Sequence, residues 1–107
     1  MFNLFNKNVK NLRPEEFKKE MIGDYFLLDV RTKQEFDTGH IEKAVNIPLD
    51  RIASDIGKIM KHKDKRLLIY CLSGARSASA ASYLDNAGIE SIYNLSGGIS
   101  AWNRAFG

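Results

Sequence analysis

Two runs of this 107-residue chain, YFLLDV (25–30) and RLLIYC (66–71), are apolar along almost their whole length instead of alternating apolar with polar residues. A strand with one wet face alternates, whereas a strand covered on both faces reads as a continuous apolar run. Such runs demand a sheet sandwiched between two other layers. AVNIPL (44–49) and SIYNL (91–95) supply two shorter strand candidates, and amphipathic segments lie between the strands. That alternation is the pattern of an α/β fold whose parallel strands are joined by right-handed helical crossovers.

The intervening segments carry helix signals of their own. In RPEEFKKEM (13–21), Pro14 suits a first helical position, and Glu15 and Glu16 face the positive end of the helix dipole. TKQEFDTGH (32–40) reads as a short helix closing at Gly39. In LDRIASDIGKIMKH (49–62), Ile52, Ile56, Ile59 and Met60 recur at helical spacing, with Gly57 weakening the segment. The serine- and alanine-rich stretch after Cys71 is expected to be a helix ending near Gly88, with Ala78, Ala81 and Leu84 as its packing stripe. GGISAWNRAF (97–106) closes the chain as another. One domain over residues 1–107 is expected, with residues 1–8 as a loose arm.

Composition narrows the function classes. No apolar run of about 18 residues is present to span a bilayer, and MFNLFNKNVKN lacks the cationic start and apolar middle of a signal peptide. With a single cysteine no intrachain disulfide is possible, so a cytoplasmic, reducing location is expected. The net charge of +3 comes from basic residues scattered among acids, which argues against nucleic acid as a partner while leaving a weak attraction for small anions. Two histidines and one cysteine show no zinc-ligand spacing, so no metal is expected, and no diffusible cofactor is implied.

In open parallel sheets ligands bind beyond the carboxyl ends of the strands, and Cys71 ends the most apolar strand. The loop after it, Leu72, Ser73, Gly74, Ala75, Arg76 and Ser77, opens a helix. Gly74 can take backbone angles closed to other residues, and its small neighbours let a ligand approach the main chain. Successive amides there can form an anion-binding nest facing the thiol. Helix N-termini and nearby cations lower a cysteine pKa and populate the nucleophilic thiolate. The plain alternative is a small buried hydrophobe at a strand end.

These residues resemble the rhodanese-like sulfurtransferases. The similarity extends beyond the loop YCLSGARS: LLDVRTKQEFDTGHIEKAVNIPL resembles the family's upstream signature through Asp29, Val30, Arg31, Glu35, Phe36, Gly39, His40, Ile41, Ala44, Asn46, Ile47 and Pro48, and NLSGGISAW resembles its C-terminal one. The resemblance implies a rhodanese-like α/β fold, a roughly five-stranded, mostly parallel sheet with helices on both faces. It also implies sulfur transfer from a small anionic donor such as thiosulfate through a persulfide on Cys71, with the loop amides of residues 72–77 as cradle and Arg76 attracting the donor. Acceptors or donors of the thioredoxin-like, glutathione or cysteine desulfurase type follow from the same likeness, with no nucleic acid and no membrane. Leu72 stands where thiosulfate-using members often carry a basic residue, an apolar rim suited to a protein partner.

Two other function classes compete. Phosphatases and arsenate reductases of similar fold use a Cys-x5-Arg loop, whereas Cys71 and Arg76 give Cys-x4-Arg. Some rhodanese-like modules are non-catalytic binding domains, which commonly lack the cysteine, and between these and the enzymes stands a sulfur carrier that accepts persulfide from a protein donor. Asp29 and Arg31 are candidate supports behind the site, in an ion-pair network with Glu35. His40 is read as a structural hydrogen-bonding residue, His62 as solvated, Gly97 and Gly98 as a turn, and Trp102 as a core anchor.

Overall fold

The computed structural model describes residues 6–107. Its elements run β1 (Val9–Leu12), α1 (Pro14–Lys19), β2 (Tyr25–Asp29), α2 (Lys33–Asp37), β3 (Val45–Asn46), a 3₁₀ turn (Leu49–Arg51), α3 (Ile56–Met60), β4 (Arg66–Tyr70), α4 (Ala75–Asn86), β5 (Ile92–Leu95) and α5 (Gly98–Phe106). The five strands form one sheet in the order β1-β5-β4-β2-β3. Every neighbouring pair is parallel, with β4 at the centre: Asp29 lies opposite Tyr70, Ile69 opposite Asn94, and Leu12 opposite Leu95.

The continuous apolar strands are buried on both faces, as their composition requires. Successive side chains of a strand point to opposite faces. Phe26, Leu28, Val30, Leu67, Ile69 and Cys71 therefore share one core with Ile59 of α3 and Ala80, Ala81 and Leu84 of α4. Leu27, Leu68 and Tyr70 enter a second core with Phe17 of α1 and Ile99 of α5. Trp102 packs against this second core, with its ring edge-on to Phe17. Among the described residues, no helix is long and apolar enough to cross a membrane.

Several local expectations change. VKNL, read as part of no strand, forms edge strand β1 because β5 offers it a parallel partner. The strand expected over 44–49 shrinks to two residues, since Pro48 has no N–H for the ladder and the chain turns there. The helix expected over 49–62 is broken into a 3₁₀ turn and a five-residue helix, with residues 52–55 as the break and Gly57 inside the short helix. In α4 the buried stripe is Ser77, Ala80, Ala81 and Leu84, while Ala78 faces outward. His62 is half-buried and stacked on Phe26 at 4.2 Å rather than solvated. Of the expected N-terminal arm, residues 1–5 lie outside the described residues. Residues 6–8 are tied down, Asn8 donating to Asp85 at 2.8 Å and Ser82 to Asn6 at 3.2 Å.

Leu84 is fully buried where α4 meets the sheet. Leu84→Ala should cost about 3 kcal/mol through lost burial and the cavity left behind, measured by denaturant unfolding.

Candidate active site

The carboxyl ends of β4, β2 and β5 converge on Cys71, and three groups donate to its sulfur. The Gly74 amide lies 3.1 Å from Sγ, the Ser77 amide 3.3 Å and the Ser77 hydroxyl 3.4 Å. Gly74 caps α4 at φ 110°, a left-handed conformation that costs a glycine little and other residues more. This turn swings the first amides of α4 back over the sulfur.

The rest of the loop is shaped from behind by α5. The Ile99 amide donates to the Cys71 carbonyl at 2.9 Å and the Ser100 amide to the Leu72 carbonyl at 3.1 Å. In a trans peptide the C=O and N–H point in opposite directions. Capturing these two carbonyls on the α5 side therefore turns the amides of Leu72 and Ser73 the other way, and the Ser73 amide adds to the hydrogen bonding that favours an ionised sulfur. The close approach depends on Gly98: at φ 60°, a Cβ there would meet the Leu72 oxygen at 2.3 Å and the Cys71 oxygen at 2.5 Å. Gly98 looked like an ordinary turn glycine, and the only sequence signal for its role was its place in the C-terminal motif.

Cys71 is only 1% exposed. Burial pushes its thiol up, but the Ser77 hydroxyl and the Ser77, Gly74 and Ser73 amides outweigh it and hold the thiol below the ordinary cysteine value. The sulfur is thus both buried and surrounded by donors, which a merely space-filling cysteine does not need. The Ser77 oxygen is also 3.2 Å from the Gly74 carbonyl. Its single proton serves the carbonyl beside a neutral thiol and the sulfur beside a thiolate.

The remaining expected site residues separate into two groups. Leu72, Ser73 and Ala75 are exposed on the rim, with Gly74 and Arg76 half-buried. Arg76 turns to Glu35, Nη1 to Oε1 at 2.8 Å and Nη2 to Oε2 at 3.0 Å. Glu35 therefore belongs with Arg76 and not with Asp29 and Arg31, a correction the one-dimensional spacing of these residues could not supply. Its carboxyl is lowered to about 2, chiefly by the Arg76 hydrogen bonds. Asp29 and Arg31 form a buried ion pair at 2.8 Å on the Tyr70 face of the sheet, opposite the thiol. Arg31 also donates to the Gly39 carbonyl at 2.7 Å, and the Ile41 amide to the Tyr70 hydroxyl at 3.0 Å. Their link to Cys71 runs through the backbone of Tyr70. His40 is hydrogen-bonded to the Phe36 carbonyl at 2.9 Å and stacked on its ring, the structural part expected of it.

A family model described as Rhodanese-like domain matches residues 13–105. A sulfurtransferase of Allochromatium vinosum is 42% identical over 81 residues, covering 76% of this chain and 74% of that protein. A tRNA uridine(34) hydroxylase of Escherichia fergusonii is 32% identical over 85 residues, and the chain spans about a quarter of such hydroxylases, 24% in this case. The crystal structure of a rhodanese-like domain protein from Staphylococcus aureus superposes with a TM-score of 0.78 at 33% identity, covering 87% of this chain and 90% of that one.

The rate of Cys71 alkylation by iodoacetamide against pH should show a midpoint below the ordinary thiol value of about 8.5, and Ser77→Ala should move it upward. Because the folded value is the lower one, ionisation of Cys71 stabilises the fold above the unfolded value, and that contribution is lost as pH falls through the folded one. Gly98→Ala should lower the melting temperature and also raise the alkylation midpoint, as its Cβ displaces the two captured carbonyls.

Proposed function

The chain belongs to the rhodanese-like domain family, and on that premise we propose that it is a sulfurtransferase carrying sulfane sulfur as a persulfide on Cys71. The observation that carries this reading is the set of amide and hydroxyl donors converging on an enclosed sulfur, with Gly74, Ser77 and the Ser77 hydroxyl all within 3.4 Å. Fixed dipoles of this kind stabilise an anion without reorganising during the reaction.

The Cys71 thiolate attacks the outer sulfur of the donor. With thiosulfate the S–S bond breaks, its electron pair leaves with sulfite, and Cys71–S–S⁻ remains, with three negative charges on each side of the step. An acceptor thiolate then attacks the outer sulfur, forming R–S–S⁻ and returning Cys71 to its thiolate. The hydrogen-bond donors that lower the thiol pKa favour the attacking thiolate, so no side-chain general base is needed to form it. The donor and acceptor classes we propose are small sulfur anions and thiol-borne persulfides on one side, and glutathione or thioredoxin-like dithiols on the other.

Enclosure favours sulfur over phosphate. A slender terminal sulfur suits a loop in which Cys71 is 1% exposed and the arginine follows the cysteine after four residues. A phosphatase would need the fork of that arginine free for the phosphate oxygens, and here both terminal amino groups are on Glu35.

Incubation with excess thiosulfate should add one sulfur to the intact mass, removable by cyanide as thiocyanate and absent in Cys71→Ser. Aryl phosphate turnover without sulfur loading would replace this reading with the phosphatase. A folded protein that does neither would be a binding module.

A further inference from the structure

The loop over the thiol contributes main-chain donors but no side-chain charge before Arg76: it runs Leu72, Ser73, Gly74, Ala75, and Leu72 is 45% exposed at its rim. Arg76 spends both terminal amino groups on the two oxygens of Glu35. That carboxylate is itself anchored, because Oε1 also accepts from the Thr32 amide at 3.0 Å and from the Thr32 hydroxyl at 3.2 Å, closing the capping box of α2. The acid is thus fixed in its own helix cap, and the flexible arginine comes to it.

Among the described residues that line the hollow beside it, Arg76 is the one base. A hollow of about 450 Å³ beside Arg76 is lined by Thr32, Leu49 and Asp50 among others, which brings another acid to the same side. Arg31, another guanidinium near this end of the sheet, is occupied by Asp29 on the opposite face. A cation held against a fixed carboxylate acts outward as a dipole, whose field falls off faster than that of a lone charge.

We propose that Glu35 is a specificity-determining residue: by holding Arg76 in a bidentate ion pair it withholds that guanidinium from dianionic sulfur donors and tilts the site toward sulfur carried on an organic thiol. The inference rests on the sulfur-transfer reading for its substrates, though not for its electrostatics. With an organic persulfide the Cys71 thiolate attacks the outer sulfur of R–S–SH. The donor's S–S bond breaks, its electron pair leaves with the inner sulfur as R–S⁻, and the proton stays on the transferred sulfur in Cys71–S–SH. This donor has no sulfonate for a free arginine to hold. Glu35 touches neither donor nor sulfur and acts through Arg76, as a positioning residue.

Glu35→Gln is the informative variant, since the glutamine oxygen can still accept from the Thr32 amide and keep the α2 cap. Local charge at the thiol is read by the ratio of alkylation rates with iodoacetate, an anion, and iodoacetamide, its neutral analogue; taking the ratio cancels changes in thiolate fraction. At low salt the ratio should rise about fivefold in Glu35→Gln and fall back in Glu35→Gln/Arg76→Gln or at high salt. The KM for thiosulfate should fall by a similar factor with kcat nearly unchanged, while kcat/KM for cysteine persulfide changes less than about twofold. An unchanged ratio in a variant that keeps its circular dichroism spectrum overturns the proposal and leaves the pair as a brace. If the variant does not fold, the wild-type ratio decides: near-indifference to salt supports the proposal, and a steep fall with salt means that Arg76 already acts as a free charge and overturns it. If neither donor loads Cys71 while the ratio shifts as stated, the sulfur-transfer reading fails and the charge-withholding role of Glu35 stands.

Discussion

Two hydrogen bonds from the first turn of α5 hold the active loop in shape. Ile99 and Ser100 take the carbonyls of Cys71 and Leu72, and peptide planarity turns the following amides away from α5. Gly98 makes room for that capture, because any side chain there would overlap both carbonyl oxygens. Gly74 reverses the chain from the other side, so that α4 begins with its free amides over the sulfur. The nest is therefore built by two helix starts meeting at one strand end. An all-parallel sheet supplies this meeting, because it brings every strand end followed by a helix to the same edge.

The sheet also separates two tasks that the sequence places side by side. Tyr70 and Cys71 are consecutive and point to opposite faces. On one face the Tyr70 hydroxyl, Asp29, Arg31, Gly39 and Ile41 form a buried polar network that ties the loop after α2 to the strand ends. A buried ion pair of this kind adds little net stability after desolvation; its satisfied geometry fixes where the chain goes. On the other face the thiol lies at the end of an aliphatic core, with donors only at the mouth. Burial alone would suppress ionisation, and the donors reverse the balance.

The polarity that favours the thiolate thus comes from the Ser77 hydroxyl and backbone amides rather than from free cations. Main-chain dipoles act at short range and do not move, whereas a guanidinium on a long side chain acts further out and attracts anions as they approach. With Arg76 on Glu35, the interior of this site is anion-stabilising while the arginine at its mouth is paired with a carboxylate. The division fits a thiol whose ionisation is favoured although it is shielded, with an exposed Leu72 at the rim.

Much of this was written in one dimension. The two-faced burial of β2 and β4, the α/β alternation, and the placing of Cys71 at a strand end before a glycine-bearing helix start follow from residue types and their order, because apolar periodicity and glycine conformation are local properties. The resemblance of three ordered motifs to rhodanese-like proteins carried the fold further, to five strands. VKNL shows the limit: a four-residue segment with two polar members becomes a strand only because β5 stands beside it. The sequence by itself determined the sheet, its layers and the position of the thiol. The tertiary structure alone decided that Glu35 meets Arg76 across 41 residues, that Gly98 lies against the loop, and that Asp29 and Arg31 face away from the sulfur. These are contacts between distant segments, set by helix packing and strand register, and no local propensity encodes them.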